Sequence, residues 1–147
     1  MMNYLYAKQV IKENEDHSVE YCVGGVSSIT ALIEIPGQTL LVKQGRAQLA
    51  VKEVWLADPK RIAVEAKAND FYHQTIPESA PAVLFYDEEN CIMLRNAAPS
   101  GSRMWKSDLL DGVLDFGVAA KSIIALIKAV PTPMPQYAFR PDMATSP

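Results

Sequence analysis

The chain has 147 residues, of which 49% are hydrophobic and 21% are charged, and its formal net charge is −3. This length and composition are typical of one globular domain with a hydrophobic core. A slightly acidic chain without a cluster of lysines and arginines does not have the electrostatics of a nucleic-acid-binding protein, so we expect no nucleic-acid partner.

The sequence has no segment typical of a membrane span or a signal peptide. Its most apolar stretch, residues 116–130, is 15 residues long and contains Lys121 and Lys128, whereas a spanning helix needs about 20 apolar residues. The N-terminus has polar and charged residues where a signal peptide has an apolar core. We therefore expect a cytoplasmic protein with no membrane partner.

The two cysteines and two histidines do not have the spacing of metal ligands. Cys22 and Cys91 each fall in a strand-like run, which predicts two reduced thiols in the core. We expect no metal site in the chain.

The N-terminal half is predicted to hold one short helix and three strands. An amphipathic helix within residues 2–13 is expected to pack on the domain from outside, and a charged linker follows it. The strands are predicted at 18–23, 26–35 and 39–43. A Pro36-Gly37 turn joins the second strand to the third. Because side chains alternate along a strand, Lys43 shares a face with Leu41.

Two glycines separate the first and second strands, and two interpretations of them remain open. Gly24-Gly25 can form an ordinary hairpin turn, in which case Lys43 is a solvated residue at the end of a strand. Alternatively, the glycines let backbone N–H groups approach a phosphate, and Lys43 supplies a positive charge beside it.

The segment Asp58-Pro59 predicts a helix start, with Asp58 as the N-cap and the proline at the first helical position. The helix is predicted over residues 59–72, with Glu65 at the margin of its buried face. A carboxylate in that position needs a cation. Glu65 is predicted either to pair with a strand lysine or to pair on the helix surface with Arg61 or Asn69.

The second half is predicted to add a strand hairpin, a linker and two helices. The strands are predicted at 82–86 and 91–94, the linker at 95–103, and the helices at 105–112 and 115–130. The last 17 residues contain five of the ten prolines, which predicts a tail without fixed structure over 131–147.

These elements together predict an α+β fold, with a five-stranded antiparallel sheet, one inserted helix, and then helices and a proline-rich tail. The predicted regions are an N-terminal helix and linker at 1–18, a sheet with its helix at 19–95, a linker with apolar helices at 96–130, and the tail at 131–147.

The order of these parts resembles a known architecture. A glycine turn, a strand lysine, a helix glutamate, a strand hairpin and an apolar helix follow one another as in the N-terminal lobe of a kinase-like fold. More closely, the chain resembles the aminoglycoside phosphotransferase family, whose relatives include choline kinases and methylthioribose kinases. The likeness spans roughly residues 19–127, and it is carried by Gly24-Gly25-Val26-Ser27-Ser28, Leu41-Val42-Lys43-Gln44, Asp58-Pro59-Lys60-Arg61 with Glu65, Ala97-Ala98-Pro99, Trp105-Lys106 and Leu109-Leu110-Asp111-Gly112.

The resemblance implies an ATP site and assigns its residues. The phosphate-covering loop would be formed by Gly24, Gly25, Val26, Ser27 and Ser28. Lys43 would hold the phosphates and Glu65 would hold Lys43. A hinge whose backbone groups meet the adenine edge would be formed by Leu94, Arg95, Asn96 and Ala97.

The sequence also departs from that family. In the family the apolar helix leads to a histidine and then to a second lobe with a His-Gly-Asp motif, a downstream asparagine and a Mg²⁺ site. The sequence has no counterpart of these residues, and Lys128-Ala129 stands where the histidine is expected. The resemblance thus implies a phosphotransferase acting on a small-molecule hydroxyl or amine. It also implies that these 147 residues alone, without catalytic residues or Mg²⁺ ligands, are inactive.

Three hypotheses follow. The chain is the nucleotide lobe of a small-molecule kinase that is truncated before its catalytic lobe, a non-enzymatic module that binds nucleotide or protein, or an α+β domain with only an architectural likeness. Under the first two, the apolar helix should stay partly uncovered. Residues 116–130 should then mediate self-association or binding of a second lobe.

Overall fold

The computed structural model describes residues 1–12, 14–99, 101–113 and 115–129. It has a mixed α+β fold built on a five-stranded antiparallel sheet, which confirms the predicted fold class at that level. The strands are β1 Ser18–Tyr21, β2 Ser28–Ile35, β3 Gln38–Gly45, β4 Val83–Asp87 and β5 Ile92–Asn96. The α-helices are α1 Met2–Ala7, α2 Ile62–Thr75, α3 Trp105–Leu110 and α4 Phe116–Ala129, and a 3-10 turn, Pro59–Arg61, leads into α2.

The strands lie in the order β1-β2-β3-β5-β4, so the lysine strand is central. In the register, Lys43 of β3 lies opposite Thr30 of β2 and Met93 of β5. Arg95 lies opposite Leu41. Since paired residues point to the same side of a sheet, Arg95 and Lys43 share one face.

The two faces of the sheet are covered by different helices. On one face, Leu5 and Ile11 from the N-terminal segment pack against a buried apolar layer. That layer consists of Ala31, Ile33, Leu40, Val42, Phe85, Ile92 and Leu94. This confirms the predicted packing role of the N-terminal helix, which is further held by a hydrogen bond from the Tyr4 hydroxyl to Asp87 on β4.

Helix α2 covers the opposite face, which carries Lys43. Its residues Ile62 and Ala66 pack against Met93 of β5, and Val83, Tyr86 and Cys91 complete this second cluster. Asp58 caps the preceding 3-10 turn, as predicted, by accepting a hydrogen bond from the backbone N–H of Lys60 at 2.9 Å. The sheet therefore lies between α1 on one face and α2 on the other.

Several element boundaries differ from the prediction because of local backbone conformation. The N-terminal helix ends at Ala7, and Gln9 follows it with a left-handed φ of 56°. Strand β1 ends at Tyr21 and β2 begins at Ser28, because the left-handed φ of 89° at Gly24 cannot continue a strand. Strand β5 continues to Asn96, so the linker starts after it.

The structure also corrects the predicted burial of one cysteine. Cys22 lies beyond the strand and is exposed, whereas Cys91 is buried as predicted. Both are free thiols.

At the C-terminal side, Asp115 accepts a hydrogen bond from the N–H of Gly117 at 2.8 Å, at the start of α4. The predicted helix end at Val130 and the predicted tail 131–147 lie outside the described residues. Within the described ranges, no helix is both long and apolar enough to cross a membrane.

Candidate functional site

The centre of the candidate site is an ion pair between β3 and α2. The ammonium group of Lys43 donates to both carboxylate oxygens of Glu65, at Nζ–Oε1 2.6 Å and Nζ–Oε2 2.7 Å. This confirms the predicted pairing. In the surface alternative, Arg61 or Asn69 would bond the Glu65 carboxylate. Instead, the Asn69 side chain donates to the backbone carbonyl of Glu65. The Arg61 guanidinium donates to the backbone carbonyls of Arg46 and Asp58.

The fold explains why these two groups meet. Strand alternation places Lys43 on the face that α2 covers, and Ile62 and Ala66 anchor that helix on the sheet. Glu65 precedes Ala66, at the edge of the buried face, and so reaches the end of the lysine side chain. The side chains of Lys43 and Glu65 are 21% and 36% exposed, so the pair is covered but accessible.

A partly exposed ion pair adds little to stability. Such pairs contribute about 1 kcal/mol or less to the free energy of unfolding, because solvent screens them and two long side chains must be ordered. The pair's main effect is therefore geometric, since it fixes the direction in which the Lys43 ammonium points.

The loop between β1 and β2, residues 22–27, contains Gly24, Gly25, Val26 and Ser27 and is exposed throughout. Gly24 has a φ of 89° with open space around it. A side chain at Gly25 would place Cβ 2.9 Å from the carbonyl oxygen of Ser28, so this position needs a glycine. The fifth predicted loop residue, Ser28, is buried at the start of β2.

The C-terminal base of this loop is attached to the segment after β3. The N–H of Arg46 donates to the carbonyl of Ser27 at 3.1 Å, and the N–H of Ala50 donates to that of Val26 at 2.9 Å. The loop thus has an anchored base and an exposed glycine tip.

A cleft of about 420 Å³ lies between the loop base and α2. It is lined by Ser27, Ser28, Gly45, Arg61, Ile62, Val64, Glu65 and Ala68. Arg61 and Glu65 are the charged residues in that lining. These two charges balance, and Lys43, which does not line the cleft, is bonded to Glu65 beside it.

The predicted hinge, Leu94 to Ala97, lies elsewhere. Leu94 is buried in the centre of β5, and the next two residues complete that strand. The N–H of Asn96 donates to the carbonyl of Ala82 at 3.1 Å, and that of Ala97 donates to the carbonyl of Thr39 at 3.0 Å. These two amides are therefore engaged within the sheet.

The hinge residues Arg95, Asn96 and Ala97 line a second cleft, of about 280 Å³, with the segment between α2 and β4. The Arg95 guanidinium donates to the carbonyl of Asn96 at 3.2 Å. Burial holds the pKa of Arg95 below its ordinary value, and the Glu65 carboxylate opposes that shift. Arg95 is thus close enough to Glu65 for their charges to interact.

Two arginines of the site were not identified as site side chains by sequence reasoning. Arg61 was noted as part of a motif and as a possible surface partner of Glu65, and Arg95 only for its backbone. The signal for Arg61 is its position four residues before Glu65, which places both on one side of α2. Arg95 could have been found from its alternation with Met93 in β5.

Away from this site, α4 exposes apolar side chains. The exposed fractions of Ile123, Ile124, Leu126 and Ile127 are 46%, 49%, 37% and 66%. This confirms the prediction that the apolar helix stays partly uncovered. What covers it is still a prediction.

No protein-family model matches the sequence, and no curated protein matches it. The assignment of a function therefore depends on the geometry described above.

Proposed function

We propose that the chain is the nucleotide-binding lobe of an ATP-dependent phosphotransferase of the aminoglycoside phosphotransferase type, acting on a small-molecule hydroxyl or amine. The observation that carries the proposal is the bidentate Lys43–Glu65 pair, which joins a five-stranded antiparallel sheet to α2 beside the cleft at the base of a glycine loop. This combination is what a site for a polyphosphate needs.

The residues present fit the phosphates of a nucleotide. The Lys43 ammonium has three donors and gives two hydrogen bonds to Glu65, so it can donate another to a phosphate oxygen. The exposed glycine tip offers backbone N–H groups without Cβ atoms that would hold a phosphate away.

For the adenine end of the nucleotide, the proposal assigns fewer contacts than the sequence predicted. Because the amides of Asn96 and Ala97 are bonded to Ala82 and Thr39, they are not free to donate to a base in this arrangement. The proposal therefore depends on the phosphate end of the nucleotide.

Catalysis needs more than these 147 residues. The general base and the Mg²⁺ ligands of the family have no counterpart in the sequence, and phosphoryl transfer depends on such groups for electrostatic stabilisation. When bound, Mg²⁺ neutralises charge on the phosphates. The role of this chain is to hold and orient the nucleotide, and a second lobe would have to supply the transfer chemistry.

The proposal is tested by titrating the full 147-residue chain with ADP and ATP by isothermal calorimetry. Hydrogen bonds to charged groups contribute about 1.5–3 kcal/mol, so Lys43→Met should weaken binding by roughly tenfold or more. Lys52→Met, at an exposed residue of the loop after β3, is the matched control and should bind as the wild type does. Equal affinities for wild type and Lys43→Met would refute the proposed role of Lys43.

A second candidate function is a non-enzymatic module that binds another protein through α4. The exposed isoleucines of that helix favour it, because apolar patches of several hundred Å² on a monomer usually mark an interface. Sedimentation of the purified chain over a range of concentrations, with and without nucleotide, tests this candidate. The candidate requires that the chain associate through α4 and that nucleotide have no effect on this association.

A further inference from the structure

The side chain of Arg61 joins three separate backbone segments. Its guanidinium donates to the carbonyl of Ser27 at the base of the glycine loop. It also donates to the carbonyl of Arg46, just after β3, at 3.0 Å, and to that of Asp58, just before α2, at 2.7 Å. All three acceptors are backbone oxygens; Ser27 and Arg46 are distant from Arg61 in sequence, and Asp58 lies three residues before it.

A guanidinium is suited to this arrangement because it carries five N–H donors in one rigid plane. A lysine ammonium would present its donors at a single point on a flexible stem, and a glutamine would carry no charge. Few other side chains could therefore satisfy three carbonyls that approach from different segments.

A second observation shows that two backbone segments pack closely at this junction. A Cβ at Gly45, the last residue of β3, would lie 2.3 Å from the carbonyl oxygen of Pro59. The backbone at the end of β3 thus passes directly against the start of the helix segment that contains Arg61. The three segments meet at one place, and Arg61 bonds all of them.

The position of Arg61 connects this junction to the ion pair. Arg61 lies four residues before Glu65, about one helical turn, and both side chains line the same cleft. A shift of the loop base relative to Arg61 would therefore change the distance between the loop and the Lys43–Glu65 pair.

We propose that Arg61 is a positioning residue that holds the phosphate-covering loop at a fixed distance from the Lys43–Glu65 pair. This inference deepens the proposed function and depends on it for the identity of the ligand. It assigns the phosphate end of the nucleotide, and not the base end, as the part whose binding depends on Arg61.

Three variants of the full chain test the inference. Arg61→Gln removes the charge and the planar fork, whereas Arg61→Lys keeps the charge but has one donor centre. Arg103→Gln is the matched control. Arg103 precedes α3 and pairs with Asp108 within that helix, in another part of the chain. Each variant is examined without nucleotide by hydrogen exchange of the amides of Arg46 and Ala50, which donate to Ser27 and Val26 at the loop base, and by titration with ADP and with adenosine.

Since a hydrogen bond to a charged group strengthens a local contact by a factor of ten or more, Arg61→Gln should speed exchange of the Arg46 and Ala50 amides by roughly tenfold. It should weaken ADP binding by about tenfold and leave adenosine binding unchanged. Arg61→Lys should fall between Arg61→Gln and wild type, and Arg103→Gln should match wild type.

The outcomes separate this inference from the proposed function. Unchanged exchange of the Arg46 and Ala50 amides in Arg61→Gln would overturn the positioning role, whether or not nucleotide binds. Equal losses of ADP and adenosine affinity would also overturn it, because that pattern shows general damage to the fold. A wild-type chain that binds no ADP would refute the proposed function and the phosphate part of this inference, while faster exchange of these two amides in Arg61→Gln would still support the structural tie.

Discussion

Replacement of Gly45 by alanine tests the close approach between β3 and the start of α2. The new Cβ would lie 2.3 Å from the carbonyl oxygen of Pro59 and 3.0 Å from its carbonyl carbon. Non-bonded heavy atoms normally sit about 3.5–4.0 Å apart, so the two backbones would have to separate by about 1 Å. Proline has a fixed φ, which limits local adjustment at Pro59.

Overpacking of this kind costs about 1–3 kcal/mol, and a domain of this size is stable by only about 5–15 kcal/mol. Gly45→Ala should therefore lower the free energy of unfolding by about 1–3 kcal/mol in urea titrations. It should also speed hydrogen exchange at the amide of Arg46, which bonds to Ser27 across the junction.

Gly37→Ala is a control with a different cause of instability. A Cβ at Gly37 would meet nothing within 4 Å, but the residue has a φ of 87°. An L-residue in that conformation costs roughly 1–2 kcal/mol. This variant should lose stability without faster exchange at Arg46. A Gly45→Ala chain within about 0.5 kcal/mol of wild type would contradict the account of the junction, since that is the range of neutral surface substitutions.

Three further predictions concern other parts of the chain. Burial and the bond to Asp87 raise the pKa of Tyr4 above its ordinary value, so the stability it contributes is present below pH about 10 and is lost as the pH rises through its folded pKa. Tyr4→Phe should flatten that alkaline loss in pH-dependent unfolding, whereas Tyr21→Phe, at an exposed tyrosine, should keep it. Covering several hundred Å² of apolar surface contributes several kcal/mol, so we expect the chain to self-associate through α4, or to need a partner there, in sedimentation. Ile124→Glu with Ile127→Glu should weaken this association. A wild-type chain that is monomeric at high concentration would contradict the prediction. The pure 147-residue chain should transfer no phosphate from ATP to a hydroxyl or amine substrate, and measurable turnover would refute that expectation.

The sheet and the ion pair could be predicted because they follow from short-range patterns. Strand alternation fixed the face of Lys43, and the helical period placed Glu65 at the edge of the buried stripe. Each signal needs only the identity of nearby residues.

Features that depend on backbone conformation or on distant segments could not be predicted in this way. The exposure of Cys22 accompanies the position of β1 at the edge of the sheet, where Glu20 and Tyr21 are exposed as well. The role of Arg61 depends on carbonyls from three segments that meet only in the folded chain. Likewise, the bonds of Asn96 and Ala97 depend on where β5 ends against its neighbours.

The most direct test of the nucleotide-lobe account is to locate the bound nucleotide by NMR, with ADP added to the ¹⁵N-labelled full chain. The account predicts that the largest amide shifts lie in the loop 22–28, at Lys43 and in the first turn of α2 around Glu65. It also predicts that Lys43→Met reduces these shifts at the same, subsaturating ADP concentration. Shifts confined to α4, or no shifts at millimolar ADP, would contradict the claim that the Lys43–Glu65 pair and the glycine loop form a phosphate site.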